Sequence, residues 1–109
     1  MFEDVVRAEA LLAGQVAGLE PGTLSGDDAA RLLDCFTRIE RLATAGRLKV
    51  ARRVEQSNVW RGGGHKTAAE YLARHSGESL GSAHRLLDTA EALAELPATA
   101  EAFDSGRLS

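Results

Sequence analysis

Tyr71-Leu72-Ala73-Arg74-His75-Ser76-Gly77-Glu78-Ser79-Leu80-Gly81-Ser82-Ala83-His84-Arg85-Leu86-Leu87 reads as two short helices joined by a tight turn. Two helices can cross closely only where small residues face each other, and the chain can reverse between them only at a residue that tolerates positive φ. Ala73 and Ala83 meet the first demand, Gly77 the second, and Leu80 and Leu86 supply apolar contacts on the second helix. This spacing is that of a helix-turn-helix, the arrangement that sets a helix into a DNA groove. The expected fold is all-α: a helical bundle with one long central helix and this helix-turn-helix-like segment.

Composition agrees. The 109 residues are 44% hydrophobic, and alanine, leucine, glutamate and arginine, which keep side-chain freedom in a helix, dominate over β-branched residues. Length alone points to a single domain over residues 1–109. No apolar run approaches the roughly 20 residues that span a bilayer, and Met1-Phe2-Glu3-Asp4 lacks the basic start of a signal peptide, so a cytoplasmic protein without membrane contact is expected. Cys35 is the only cysteine, which excludes an intramolecular disulfide and a cysteine-based metal site. Beside Leu32, Leu33 and Phe36 it reads as a small buried core residue.

Charge is unevenly spread. Residues 1–46 hold 4 basic and 8 acidic side chains, residues 47–75 hold 7 and 2, and residues 76–109 hold 2 and 6. The basic segment, Arg47, Lys49, Arg52, Arg53, Arg61, Lys66 and Arg74, leads directly into the paired helices, where phosphate contacts would be wanted. The bland alternative is a solvated face whose cations pair with Glu55, Glu70, Glu78 and Glu91.

Working outward, Val5, Val6, Ala8, Leu11, Leu12 and Val16 make an amphipathic helix from Glu3 to about Val16, ending near Gly18. A Gly/Pro loop follows, and Ser25 with Asp28 resembles a capping box. Leu32, Phe36, Ile39, Ala43, Val50 and Val54 recur at helical spacing, so one helix of about 45 Å runs from Asp27 to about Ser57. A helix that long cannot bury its whole stripe in so small a domain, and a homodimer is expected to cover the remainder. Gly46 marks a kink or a close crossing. Trp60-Arg61-Gly62-Gly63-Gly64-His65-Lys66 breaks the pattern as a connector, with Trp60 an anchor for the end of the long helix. Its glycine N–H groups beside Arg61 and Lys66 offer a phosphate contact, although the spacing is not that of a P-loop. Thr67 to Glu70 is a capping box for a helix through about His75, and Ser79 caps the next, which runs to about Leu96. Pro97 stops it and suits a last helix, Ala98 to Phe103. Gly106 reads as a helix end, and the closing serine points to an N-terminal fragment of a longer chain.

Several of these words, in this order, resemble a known family. Arg47-Leu48-Lys49-Val50-Ala51-Arg52-Arg53-Val54, Trp60-Arg61 before a glycine-rich turn, and Thr67-Ala68-Ala69-Glu70-Tyr71-Leu72-Ala73-Arg74 carry the likeness. So do Ala83-His84-Arg85-Leu86-Leu87-Asp88-Thr89-Ala90, Leu96-Pro97-Ala98-Thr99-Ala100 and Ser105-Gly106-Arg107-Leu108-Ser109. From about Leu24 to Ser109 the chain resembles the actinobacterial domain of unknown function 222, the 13E12-repeat family, usually found upstream of an HNH endonuclease domain. The resemblance implies a helical module preceding a metal-dependent nuclease. The nuclease itself is not within these residues, which contain no His-Asn-His cluster with flanking cysteines. Gly81-Ser82 departs from the helix-favouring, often charged residues usual at that place.

Nothing here makes a catalytic constellation, so this fragment reads as a non-enzyme. His65, His75 and His84 match no metal-ligand spacing, no cofactor motif occurs, and no small-molecule substrate is evident. Asp27-Asp28 is a helix-start acid pair. The leading expectation is a module bound to double-stranded DNA, with Ser79, Ser82, His84 and Arg85, and Asp88 beyond them, facing the groove. Arg52, Arg53, Arg61, Lys66 and Arg74 would hold phosphates. The alternative is a helical dimerisation scaffold that positions a partner nuclease domain without touching DNA.

Overall fold

The computed structural model describes residues 1–96 and 104–106, and the helix expected over Ala98 to Phe103 lies outside the described residues. The fold is all-α. Five α-helices occur among the described residues: α1 (Phe2–Ala17), α2 (Gly26–Ser57), α3 (Val59–Gly62), α4 (Ala68–Ser76) and α5 (Leu80–Ala94), with a 3-10 turn at Pro21–Thr23. Residue contacts divide the chain into two compact units, 1–34 and 35–109, with the division falling inside α2. No helix among the described residues is long and apolar enough to cross a membrane.

The first unit holds α1, the turn and the start of α2. α1 has Glu3 and Asp4 in its first turn, where acids suit the helix dipole, and closes at Gly18, whose N–H reaches the Gly14 carbonyl at 3.1 Å. None of its residues is buried. The Ser25 hydroxyl accepts from the Asp28 N–H at 3.1 Å, which caps α2 as the Ser25–Asp28 spacing anticipates.

α2 runs unbroken through Gly46 for 32 residues, about 48 Å at the usual helical rise. A Cβ added at Gly46 would meet nothing within 4 Å, so no described element crosses closely there. The glycine therefore keeps its intrinsic cost of about 1 kcal/mol against alanine with no packing to offset it.

In the second unit α2 buries Ala45, Leu48 and Ala51, with Val54 half-buried behind them. This corrects the expected stripe, since Ala43 is exposed and Val50 is 62% exposed. Cys35 is likewise exposed rather than a core residue. It sits in the part of α2 where even Leu32, Phe36 and Ile39 are only half-buried, so that stretch has no deep core to hold it.

The core is small and alanine-rich. Ala51, Ala68, Ala69, Leu72, Ala83 and Leu87 form one cluster, with Val54, Trp60, Tyr71, Ala73 and Leu86 around it. Ala45, Leu48 and Ala90 form a second, flanked by Leu86 and Leu93. Gly106 is buried with φ 77°, and a Cβ there would lie 3.2 Å from Arg38 Cγ and 3.4 Å from Leu42 Cγ. Close by in sequence, Asp104 pairs with Lys49 of α2 at 2.7 Å.

Candidate nucleic-acid interface

Local chemistry sets the positions of α4 and α5. Thr67 is extended, and its hydroxyl accepts from the Glu70 N–H at 3.1 Å to start α4. α4 ends where Gly77 turns left-handed, at φ 70° and ψ 15°. The Ser79 hydroxyl then accepts from the Ser82 N–H at 3.0 Å and starts α5. Ala83, fully buried, and Ala69, 2% exposed, lie in the cluster that joins the two helices, where a missing side chain lets helix axes approach.

This geometry divides the candidate contacts on α5. Ser79 spends its oxygen on its own helix cap, and Ser82 donates its hydroxyl to Glu78 Oε2 at 2.9 Å. His84, Arg85 and Asp88 are exposed. Arg85 Nη1 lies 3.7 Å from where a Gly81 Cβ would stand, so its guanidinium lies back along the first turn of α5.

The basic residues do not gather on one hollow. Arg52, half-buried, lines an apolar groove with Leu48, Lys49, Ala90 and Leu93. Arg85 and Arg47 share a hollow between α2 and α5. Arg74 lines another with His65, Glu70 and Glu78. Arg53 and Lys66 are exposed on α2 and in the loop before α4. Arg61 stacks over the Trp60 ring at 4.9 Å. Of the acids expected to neutralise this segment, Glu78 alone forms an ion pair among the described residues, taking Arg47 at 3.2 Å. Arg52, Arg53, Arg61, Lys66, Arg74 and Arg85 form none to a described residue.

The glycine connector is more ordered than its composition implies. Asn58, at φ 63°, turns the chain out of α2 into the short α3. Trp60 Nε1 donates to the Glu55 carbonyl at 3.1 Å, and the ring packs on the core, which makes it the expected anchor. The Gly64 N–H goes to the Arg61 carbonyl at 3.0 Å and the His65 N–H to the Trp60 carbonyl at 3.3 Å. Those two donors serve the loop itself, which weakens the phosphate contact expected of it.

His65 and His75, ten residues apart, come together at 6.1 Å between ring centroids. Tyr71 stacks on His75 at 4.0 Å and takes the His65 edge at 5.6 Å. His75 Nδ1 reaches the Tyr71 carbonyl at 3.0 Å. Among the described residues no three His, Cys, Asp or Glu side chains are placed to hold a metal ion.

Arg47–Glu78 is the one ion pair among the described residues that matches the expected pairing of the basic segment with Glu55, Glu70, Glu78 and Glu91. The two are 31 positions apart, so no local spacing singles out which acid each cation takes. The available signal was the sign of Glu78 in a turn that follows a basic helix.

Residues 29–109 match the family model described as domain of unknown function (DUF222). No curated protein and no solved structure matches the chain.

Proposed function

The chain belongs to the domain of unknown function 222 family, a description that leaves its activity open, and from that premise we propose that this module contacts double-stranded DNA. α4, the Gly77–Ser79 turn and α5 act as a helix-turn-helix, with the N-terminal half of α5 in the major groove. The observation that carries this reading is the pairing of a left-handed Gly77 and a fully buried Ala83 with exposed His84 and Arg85 on the outer side of the same helix. Because Ser79 and Ser82 are engaged within the protein, base reading falls to Arg85, whose planar fork suits guanine, and to His84. Lys66, Arg74, Arg61, Arg52 and Arg53 serve as phosphate contacts. In the full-length protein the module brings an HNH-type nuclease to its DNA and performs no chemistry itself.

Fluorescence anisotropy with random and genomic duplexes tests this. Arg85→Ala is expected to cost about 1–3 kcal/mol on a preferred site and much less on random duplex. Lys66→Ala should weaken binding on all sequences alike and lower the salt slope by about 1. Equal loss on every sequence for both variants would remove the base-reading role.

A second reading, a scaffold that pairs with a second copy, is favoured by α1. None of its residues is buried, and Phe2, Val5 and Val16, which share one face, are 77%, 64% and 52% exposed. Apolar surface in such a row marks an interaction site. Self-association in sedimentation velocity, abolished by Val5→Asp, is the expected result, and a monomer at high concentration would discard it.

A further inference from the structure

We propose that the hollow between α2 and α5 is a phosphate subsite for the nucleic-acid backbone, in which the Glu78 carboxylate stands where a phosphodiester would bind. The inference rests on the DNA-contact reading and adds a residue that opposes it.

Arg47 and Arg85 line this hollow with Thr44, Glu78, Ser82 and Thr89. Arg47 is half exposed, while Glu78 is only 18% exposed and reaches it at 3.2 Å. The second Glu78 oxygen accepts the Ser82 hydroxyl at 2.9 Å. A guanidinium and a hydroxyl converging on one anionic group is the donor set that binds phosphate as well as carboxylate. Arg85 also lines the hollow, but its guanidinium lies back along the first turn of α5 and keeps its base-reading role, so Arg47 and Ser82 are the donors of the subsite. The bond that braces the turn to α2 therefore also competes with an incoming backbone for Arg47. Glu78 sets the affinity of the module by holding that cation back.

Glu78→Gln removes the charge and keeps a carbonyl oxygen for Ser82. Glu91→Gln makes the same change of net charge at an exposed position of α5 and serves as the control. In anisotropy titrations of a labelled mixed-sequence duplex at several salt concentrations, E78Q is expected to bind severalfold tighter than the wild type. Its log–log salt slope should be steeper by about 0.9, the weight of one added phosphate contact. E91Q should move far less, and adding Arg47→Ala to E78Q should remove the gain. Should E78Q fail to fold by circular dichroism, Glu78→Ala removes the same charge while leaving Arg47 and Ser82 in place and should shift binding the same way. If E78Q binds no tighter than E91Q while Arg85→Ala still weakens the wild type, Glu78 is a brace alone and the DNA reading survives. If neither wild type nor E78Q binds duplex at any salt, both fall.

Discussion

Leu87→Ala is expected to lower the stability of the second unit by about 3 kcal/mol, and urea titration should show it as a lower midpoint at unchanged slope. Leu87 is 6% exposed in a cluster of six buried residues, four of them alanines. Alanine adds little apolar area, so Leu72 and Leu87 provide most of what that cluster removes from water. The same alanines have no rotamers with which to refill the space a leucine vacates. The loss therefore combines the transfer free energy of the removed methyls with a cavity that stays open. The exposed Leu80, 51% accessible on the same helix, is the internal comparison. Leu80→Ala should stay within about 0.5 kcal/mol of wild type. A loss at Leu87 as small as that would mean that α5 is held by contacts other than this cluster.

What could be read from the sequence follows the range of the interaction that decides each feature. Thr67, Ser79 and Ser25 cap their helices through bonds three residues long, and these ends were legible. The buried face of α2 was not. Ala45 and Ala51 carry too little hydrophobicity to stand out, and the larger Val50 drew the stripe toward a face that is exposed. Cys35 is exposed despite its apolar sequence neighbours, because such neighbours do not establish that a core lies opposite them. At the candidate interface, the exposed position of Arg85 on α5 follows from its offset to Gly77, while its role is a matter for the binding experiments. The Ser82–Glu78 bond spans only four residues, whereas the Arg47–Glu78 pair depends on how α2 lies against α5, which no local spacing encodes.

The other large effect is at the turn. Gly77→Val is expected to cost about 2 kcal/mol, and the cost is one of backbone alone. With φ at 70° the residue occupies the left-handed region, where a Cβ meets its own carbonyl at about 1–2 kcal/mol, and a β-branched side chain does worse. Crowding contributes nothing, because a Cβ at this position has no neighbour within 4 Å. Gly77→Asn should accordingly recover most of the loss, since asparagine enters this region readily. Gly46→Ala, at an equally uncrowded site inside a helix, should change stability in the opposite direction. The turn also fixes the start of α5, so Gly77→Val should weaken duplex binding by more than its stability loss explains, at temperatures where the protein remains folded. Equal destabilisation by valine and asparagine would show that space, not the left-handed backbone, limits this position.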